Sequence, residues 1–552
     1  MCGIALIICN LPFNDKYLLK ILNLLQETIS RRGPDYLEIV KLSTQNEMNL
    51  CFLSSVLWLQ GNSLSKQPVQ NEQSVFIYNG DIFNGISEEF RKKYGDTNCV
   101  FEILNESDDI HHSLLKLQGP YAFVYYDKLH NKLHFGRDKY GRRSLLVGKN
   151  GETIVLSSVA KRTEDFEFME LPSIGTFTWD LNKGNLELSP FNESYSTKLG
   201  ELELFLNKSF LIKHTAYPPD INFINPPATQ LDLLNNLHGL PTDEAFSTLL
   251  AHSEWLENVK QLLELLEDSI KRRISNQPKF CKACIHVKPS CTHSSVGILF
   301  SGGVDCSILA LLANNYVDKE QPIDLFNVSF DEAHGFSSPD RLTGLQTLEE
   351  LQELCPNRNW RFIEINIPKS ELKDIRSNRI ADLIYPLETV IDDDLGCALW
   401  FASRGLHDSN CRVLLVGMGA DELFGGYTKH RAAFKRDSWS GLHDKLNEDW
   451  QNLPYRNLAR DDRVVADHGR QLRTPYLDEN VVHFVRNLQC WAKSFPSDKV
   501  PQGFGDKLLL RSVAYRLGLK KAATLKKRAL QFGSRIADSK KSANEVSTTL
   551  HS

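Results

Sequence analysis

The sequence predicts two domains of different fold class, an α+β domain followed by an α/β domain. At 552 residues the chain is too long for a single hydrophobic core, so two large domains are the expected arrangement. Up to about residue 187, short apolar runs rich in aromatic and β-branched residues alternate with turn signals, and helical periodicity appears at 16–29 and 101–117. From Val296 onward, strand-like runs alternate with helical ones, which is typical of a doubly wound parallel sheet.

Composition shifts divide the chain into four segments. We expect the first domain at 2–187 and a linker at 188–250, which is rich in proline and asparagine and poor in pattern. The second domain is expected at 251–538, where it begins with an amphipathic helix. A tail rich in Ser, Lys and Thr, with no fold of its own, is expected at 539–552.

The composition also argues against several classes of protein. A net charge of -5 with 41% hydrophobic residues is ordinary for a globular chain and gives no sign of a nucleic-acid or membrane partner. No apolar run is long enough to span a bilayer, and the N-terminus lacks the basic segment of a signal peptide. Twelve scattered cysteines do not make a disulfide scaffold, so we expect reduced thiols and a cytoplasmic location.

Cys2 stands directly behind the initiator methionine, in an apolar segment that is predicted to be the first strand. Removal of Met1 would place a thiol and a free α-amine on the same residue. An α-amine titrates near ~7.7–8.0, so at neutral pH it is a poised base beside a good nucleophile. The arrangement suits an amidohydrolase that acts through an acyl-enzyme. The alternative is a small buried hydrophobe in a strand.

The sharpest motif lies at 298–309, where an apolar strand runs into a Ser-Gly-Gly turn and then into a helix. The two glycines let backbone N–H groups close around an anion, and the helix N-terminus adds partial positive charge. The hydroxyls of Ser301 and Ser307 can donate to phosphate oxygens, and the carboxylate of Asp305 suits Mg²⁺ on a polyphosphate. Because no Gly-Lys-Ser/Thr follows, this is not a Walker-type loop.

Five further motifs accompany Cys2 and the Ser-Gly-Gly turn in order along the chain. They are Arg-Gly-Pro-Asp at 32–35, Asn-Gly-Asp-Ile-Phe-Asn at 79–84, Gly-Arg-Asp-Lys-Tyr-Gly at 136–141, Gly-Met-Gly-Ala-Asp-Glu-Leu-Phe-Gly-Gly-Tyr at 417–427 and Arg-Thr-Pro-Tyr-Leu-Asp at 473–478. Together they resemble the glutamine-hydrolysing asparagine synthetase family. Within it, the segments 397–405 and 527–535 resemble the divergent group of asparagine synthetase domain-containing proteins. The resemblance implies an N-terminal nucleophile (Ntn) glutaminase domain, an αββα sandwich, followed by an α/β PP-loop synthetase domain of the adenine nucleotide α-hydrolase-like type.

For the first domain the resemblance implies a glutaminase site. Cys2 would attack the side-chain amide of glutamine, with its own α-amine as base, and the Asn79 amide and Gly80 N–H would form the oxyanion hole. The residues that align with the family's glutamine-binding groups are Ser55, Asp81 and Asn98, with Asp96 in place of Asn98 if the register slips by two. Ser55 replaces an arginine that grips the glutamine α-carboxylate, and Asp81 is one methylene shorter than the family's Glu.

For the second domain the resemblance implies adenylation of a carboxylate by ATP. The implied nucleotide-binding residues are Phe300, Ser301, Gly302, Gly303, Asp305, Cys306, Ser307, Val328 and Gly417, and Mg²⁺ would be held by Asp305 and Asp421. Three departures change the chemistry: Cys306 replaces a Ser, Met418 replaces a Glu that carries proton traffic in the family, and Ala529 aligns with that Glu's partner lysine.

The implied function is therefore ATP-driven amidation of aspartate to asparagine, with glutamine as nitrogen donor. The small-molecule partners would be glutamine, ATP, and aspartate or another carboxylate. Two alternatives stay open: a catalytically impaired scaffold that retains nucleotide binding, and an amidotransferase that acts on a different carboxylate.

Four residues that could bind zinc lie just before the Ser-Gly-Gly strand: Cys281, Cys284, Cys291 and His293. Zinc needs four N or S ligands, and this cluster could supply them. The spacing is tighter than usual for a structural site, so the favoured interpretation is a loop insertion with reduced cysteines, and zinc is the alternative.

Overall fold

The computed structural model of the chain describes residues 2–44, 46–213, 222–278, 280–285, 291–501, 503–537 and 542–550. Within these ranges, no helix is long and apolar enough to cross a membrane.

The first domain contains two β-sheets and four helices. Its strands are β1 (Gly3–Cys9), β2 (Tyr36–Ser43), β3 (Asn49–Val56), β4 (Val69–Gln70), β5 (Ser74–Gly80), β6 (Tyr121–Asp127), β7 (Lys132–Arg137), β8 (Leu146–Asn150), β9 (Thr153–Ser157), β10 (Glu167–Glu170), β11 (Gly175–Asp180), β12 (Asn185–Pro190) and β13 (Phe210–Ile212). Its helices are α1 (Lys16–Arg32), α2 (Glu88–Asn105), α3 (Ile110–Leu115) and α4 (Ser196–Leu206).

The two sheets stack face to face between helices. The order is β10-β8-β9-β1-β3-β2 in the first sheet and β13-β12-β11-β7-β6-β5-β4 in the second. Side chains alternate along a strand, so Ile4, Leu6 and Ile8 of β1 pack between the sheets while Ala5, Ile7 and Cys9 pack under α1. On the far side, Phe76 and Tyr78 of β5 pack against Val100 and Phe101 of α2. The αββα sandwich predicted from the sequence is confirmed.

The second domain is built on a five-stranded, wholly parallel sheet. Its strands are β14 (Val296–Leu299), β15 (Ile323–Ser329), β16 (Trp360–Asn366), β17 (Val413–Leu415) and β18 (Gln471–Arg473), in the order β16-β15-β14-β17-β18. The order reverses between β14 and β17, and ligands of such sheets bind where the carboxyl ends of the strands flank that reversal. The predicted α/β class is therefore confirmed, and the topology points to the segments after β14 and β17.

Fifteen helices of the described residues surround this sheet or lead into it. They are α5 (Ala228–Asn235), α6 (Thr242–Ala251), α7 (Ser253–Ser275), α8 (Val304–Ala313), α9 (Pro339–Leu354), α10 (Lys369–Ile375), α11 (Ala381–Ile384), α12 (Val390–Arg404), α13 (Ala420–Phe424), α14 (Thr428–Arg456), α15 (Leu458–Ala466), α16 (Glu479–Asn487), α17 (Leu508–Arg516), α18 (Lys520–Thr524) and α19 (Leu530–Gly533).

The segment 188–250, predicted to be a linker, is largely folded and is shared between the domains. Strand β13 pairs in parallel with β12 and so extends the second sheet of the first domain. Helices α5 and α6 instead join the core of the second domain, where the ring of Phe246 stacks on Tyr515 at 4.5 Å. The prolines that suggested a linker act as helix starts, because Pro227 and Pro241 are the N-caps of these two helices. Residues 214–221 lie outside the described ranges.

The described part of the predicted tail, 542–550, also packs on the domain. Val546 forms a bridge with Thr389, the Ser547 hydroxyl donates to the Asp393 carboxylate at 2.7 Å, and Leu550 is buried. Its polar composition suggested a segment without contacts, but the hydroxyl groups find partners at the start of α12.

Arginines of the first domain meet carboxylates of the second along a buried seam. Arg32 and Arg143 both reach Asp462 on α15, at 2.7 and 3.2 Å, and Arg142 reaches Glu479 on α16 at 2.6 Å. Burial opposes ionisation of Asp462, but Arg32 and Arg143 hold the pKa of its carboxyl below the usual range.

The seam is reciprocal, since arginines of the second domain also meet carboxylates of the first. These pairs are Arg473 with Asp81 at 2.8 Å, Arg412 with Asp35, and Arg463 with Glu170. Taking charges out of water is costly unless each one finds its partner. The two domains therefore satisfy each other's buried charges and form one unit.

We expect Asp462→Asn to destabilise the protein by about 3–5 kcal/mol, because it leaves two buried guanidinium groups without their counter-charge. The measurement is the free energy of unfolding in urea at pH 7, with unfolding monitored by one spectroscopic probe in each domain. The pKa of Asp462 is lowered in the folded state. Its contribution to the free energy of unfolding is therefore fully present above the unfolded carboxyl pKa near ~4, and it is lost as the pH falls below that value. The control is Asp165→Asn, which removes an exposed partner of Lys20 and should change little. If both substitutions lowered the free energy of unfolding equally, the buried ion pairs between the domains would not stabilise the protein as we expect.

Candidate active sites

The backbone of Cys2 is held from three directions at the start of β1. Its N–H donates to Asn79 Oδ1 at 3.1 Å, and Arg32 Nε donates to its carbonyl at 3.4 Å. The next residue, Gly3, donates its N–H to the Ser55 hydroxyl at 3.2 Å. The end of β5, the end of α1 and strand β3 thus converge on one residue, which fixes the direction of its side chain.

The thiol of Cys2 is buried beside Gln67. Gln67 Nε2 lies 3.4 Å from Cys2 Sγ, and its Oε1 accepts from the Tyr78 N–H at 2.7 Å. Burial raises the pKa of the Cys2 thiol, so the thiol is neutral at pH 7 and needs a base to become a nucleophile. Gln67 was missed by the sequence analysis, because nothing in its local pattern distinguishes it.

The side-chain amide nitrogen of Asn79 is available for a ligand. Its Nδ2 is buried and has no hydrogen-bond partner among the described residues. A buried donor without a partner costs about 1–3 kcal/mol, so it points to a ligand that completes it. At Gly80 an added Cβ would lie 2.2 Å from the Tyr78 ring, so only glycine fits. Asn79 therefore contacts the predicted nucleophile and presents an open N–H, and Gly80 follows it at the end of β5.

Two carboxylates lie together behind this site. Asp81 pairs with Arg473 Nε at 2.8 Å and also accepts from Gln60 Nε2. Burial, reinforced by the neighbouring charge of Asp81, raises the pKa of Asp96 to about 7. Asp96 accepts from the N–H groups of Ile82 and Thr97, each at 2.9 Å. Asp96 is thus about half-protonated at neutral pH, beside the ion pair of Asp81 with Arg473.

Two of the predicted glutamine-binding residues, Asn98 and Ser55, form hydrogen bonds with other groups of the first domain. Asn98 is part-exposed and donates its amide to the Tyr94 carbonyl at 2.9 Å and to Ser65 at 3.1 Å. Asp96, the alternative register, is the acid beside Asp81. The Ser55 hydroxyl accepts from Gly3 and donates to the Ile29 carbonyl at 2.6 Å. It supports the nucleophile strand and carries no charge that could replace an arginine.

The Ser-Gly-Gly loop in the second domain connects β14 to α8 through residues 300–303. Gly302 has a φ of +78°, which favours glycine. A Cβ there would also lie 2.5 Å from the Thr343 carbonyl oxygen. The Ser307 hydroxyl donates to the Gly303 carbonyl at 2.8 Å, so it braces the loop in this state.

One lysine joins the two predicted metal ligands. Lys507 Nζ lies 2.6 Å from Asp305 Oδ2 and 2.6 Å from Asp421 Oδ1, and Lys527 Nζ lies 2.6 Å from Asp421 Oδ2. Burial opposes ionisation, but Lys507 and Lys527 hold the pKa of the Asp421 carboxyl well below its usual range. The buried Oδ1 of Asp305 has no hydrogen-bond partner among the described residues. This hard oxygen donor set fits Mg²⁺.

A cavity of about 740 Å³ opens beside the loop and these carboxylates. Of the predicted nucleotide and metal residues, those that line it are Phe300, Ser301, Gly303, Asp305, Cys306, Val328, Gly417 and Asp421. Gly302, within the loop, and Ser307, on α8, do not line it. The cavity is large enough for a nucleotide, and it stands where the sheet topology predicts a ligand.

The positions of the missing proton-carrying pair also meet in this cavity. Met418 and Ala529 both line it, although they are far apart in the chain. Neither side chain can move a proton. The neighbouring cations are engaged elsewhere, because Lys527 pairs with Asp421 and Arg528 donates to the Thr343 hydroxyl at 3.2 Å.

A different acid lines the same cavity. Burial raises the pKa of Asp340 to about 7, although Arg528 and Lys527 oppose the shift. Its carboxylate packs against Gly533, where an added Cβ would lie 2.1 Å from its oxygens. Asp340 stands at the start of α9, and its acid–base competence at neutral pH could not be seen in the sequence because burial causes it.

Comparisons with known proteins agree with this two-site arrangement. The chain matches a family model described as a glutamine amidotransferase domain over residues 1–169, and one described as asparagine synthase over residues 291–448 and 435–550. It is 38% identical to an asparagine synthetase domain-containing protein of Drosophila melanogaster, with 100% of both chains covered. It is also 35% identical to asparagine synthetase domain-containing protein 1 of Homo sapiens, covering 98% of this chain and 96% of that one.

Among solved structures, the chain is similar to a glutamine phosphoribosylpyrophosphate amidotransferase from B. subtilis. The identity is 14%, the TM-score is 0.28, and 62% of this chain and 70% of that one are covered. This likeness is too remote to carry an argument.

We expect Lys507→Met to lower stability by up to about 3–5 kcal/mol at pH 7, because the part-buried carboxylates of Asp305 and Asp421 lose the cation that they share, and Lys527 remains for Asp421 alone. Since the pKa of Asp421 is depressed in the folded state, the difference from the wild type should shrink as pH falls below ~4. Mg²⁺ should raise the thermal midpoint of the variant more than that of the wild type. The control is Lys435→Met, which removes an exposed partner of Asp498. Equal Mg²⁺ effects in all three proteins would argue against a metal site at Asp305 and Asp421.

Proposed function

The chain belongs to the asparagine synthetase family, with a glutamine amidotransferase domain before its asparagine synthase domain, and from this membership we propose that it couples glutamine hydrolysis at Cys2 to ATP-driven amidation of a carboxylate. The proposed acceptor is aspartate, and the product is then asparagine. The observation that carries the proposal is Asn79, whose Oδ1 accepts from the Cys2 N–H while its Nδ2 has no partner among the described residues.

In the proposed first step, the thiol of Cys2 attacks the side-chain amide carbon of glutamine. The α-amine takes the thiol proton and passes it to the departing ammonia, which leaves a thioester on Cys2. The Asn79 Nδ2 and the Gly80 N–H would stabilise the oxyanion, and water then releases glutamate. The buried thiol, with its raised pKa, makes this base essential. Asn79 Oδ1 would hold the α-amine in place.

In the proposed second step, the 740 Å³ cavity holds ATP and the acceptor. The backbone around Gly303 and the helix α8 would receive the phosphates, and Lys507 adds a cation at the same place. Asp305 and Asp421 would hold Mg²⁺, which supplies positive charge to the pyrophosphate leaving group. The acceptor carboxylate attacks the α-phosphorus, pyrophosphate leaves, and ammonia from the first site displaces AMP.

The loss of Glu and Lys at Met418 and Ala529 supports a second candidate, a nucleotide-binding scaffold that makes no asparagine. Asp340 is the group that could still supply proton transfer, because it lines the same cavity and its pKa lies at about 7. If Asp340 acts as a base, amidation should rise with pH through about 7.

Purified protein with an intact N-terminal Cys2 should release glutamate from glutamine, and Cys2→Ala should reduce the rate to background. Asn79→Ala should cost at least ~10²–10³ in rate, because it removes an oxyanion donor and the group that holds the α-amine. The matched control is Cys9→Ala, which alters a buried cysteine of the same strand and should keep activity. Intact mass should show loss of Met1. A retained Met1, or equal rates in wild type and Cys2→Ala, would end the proposal for the first site.

The second site is tested by pyrophosphate release from ATP and Mg²⁺, with and without aspartate. The proposed function predicts release that depends on aspartate and is lost in Asp340→Asn. The scaffold predicts nucleotide binding by calorimetry without pyrophosphate. In that case the double substitution Met418→Glu with Ala529→Lys should restore aspartate-dependent release, since both side chains line the cavity. If pyrophosphate is released with another carboxylate and not with aspartate, that carboxylate is the acceptor.

A further inference from the structure

Three cysteines and one histidine meet in the loop between α7 and β14. Cys281 and Cys284 lie on one turn of this loop, and Cys291 and His293 follow shortly before the strand. One ligand atom from each, three Sγ atoms and a histidine nitrogen, lie within 4.8 Å of one another. Residues 286–290, which connect the two halves, lie outside the described ranges. The sequence analysis favoured a plain loop insertion, and the convergence of all four side chains argues against that interpretation.

The distances fit a single tetrahedral ion. His293 Nδ1 lies 3.5 Å from Cys281 Sγ and 3.4 Å from Cys284 Sγ. Tetrahedral zinc with Zn–S near 2.3 Å and Zn–N near 2.0–2.1 Å separates sulfur from nitrogen by about 3.5 Å. We propose that Cys281, Cys284, Cys291 and His293 bind one zinc ion.

Other uses of the cysteines fit less well. All twelve cysteines of the chain are free of disulfide bonds. An iron–sulfur cluster would need room for two or more iron ions between its ligands, whereas these four atoms surround a space for one. Two cysteines spaced Cys-x-x-Cys on a turn, followed by another S and N ligand pair, are the donor set of structural zinc.

The surroundings hold the ligands in place. The Cys281 N–H donates to Cys291 Sγ at 3.1 Å, the kind of backbone bond that orients a metal-bound sulfur. Gln321 donates to the Cys291 carbonyl at 3.0 Å and in turn accepts from the Ser295 hydroxyl at 2.6 Å. Cys281 and Cys284 are buried, and His293 reaches the ion from the surface.

The zinc loop, residues 280–285 and 291–293, touches both domains. The Lys282 N–H donates to the Asn410 carbonyl at 2.9 Å, just before β17, and the Lys282 ammonium donates to the His468 carbonyl at 2.7 Å. The ring of Phe280 lies 5.1 Å from that of Trp58 in the first domain. With four protein ligands the site has no open position, so its role is structural: it braces the edge of the domain interface.

The test is a metal count on the full-length chain purified without a polyhistidine tag and without chelator. We expect about one zinc per chain, retained after dialysis, and loss of that zinc in Cys284→Ser with Cys291→Ser. The matched control is Cys355→Ser, a part-buried cysteine of the same domain outside the cluster, which should keep zinc at the wild-type level.

A second measurement keeps the proposal falsifiable if the double variant does not fold. Wild-type protein, stripped with chelator under reducing conditions and given Co²⁺, should show the visible absorption of tetrahedral cobalt with thiolate ligands, and Zn²⁺ should abolish it. Stripping should also lower the thermal midpoint, and Zn²⁺ should restore it. Wild-type protein that retains no zinc after incubation with Zn²⁺, or zinc retained unchanged by the folded double variant, would overturn the proposal.

Discussion

The two halves of this protein depend on one interaction, the reciprocal seam of buried arginine–carboxylate pairs between them. Asp462 of the second domain receives Arg32 and Arg143, while Asp81 of the first receives Arg473. Loss of one partner of such a pair leaves the other charge buried without its counter-charge, which is costly. The seam therefore makes the glutamine amidotransferase and synthetase domains a single unit. The Arg473–Asp81 pair joins the end of β18 to the carboxylates behind Cys2.

The two sites have diverged to different degrees. At Cys2 the backbone N–H donates to Asn79 Oδ1, and the buried Asn79 Nδ2 has no partner among the described residues. The groups that would hold glutamine are altered, since Ser55 only braces β1 and the acid beside Asp81 is Asp96. In the second domain the carboxylates and the loop surround a cavity, but Met418 and Ala529 leave it without the family's proton carriers. Burial raises the pKa of Asp340, which lines the same cavity, to about 7.

Parts of the candidate sites that consist of consecutive residues could be predicted from the sequence. Local preferences for strand, turn and glycine act over a few residues. They therefore suffice to predict the Ser-Gly-Gly turn, the Asn-Gly pair at 79–80 and the first strand at Cys2. The segment at 188–250 could not be predicted in this way. Its prolines indicated a linker, but β13 and helices α5 and α6 are stabilised by pairing and burial against distant residues. Lys507, whose surroundings carry no motif, became visible only when Asp305 and Asp421 closed around it.

The sequence by itself determined the order of the two fold classes and the glycine turn between β14 and α8, since periodicity and short motifs encode these locally. The nucleophile, the oxyanion residues and the phosphate-binding role of that turn stay predictions from the same motifs. Only the tertiary structure decided which acid stands beside Asp81, which charges are neutralised across the seam, and that Met418 meets Ala529 in one cavity. It also decided that Cys281, Cys284, Cys291 and His293 converge on the space of a single ion. Each of these outcomes depends on distances between residues far apart in the chain and on the energy of burying charge, and neither quantity is written in a local pattern.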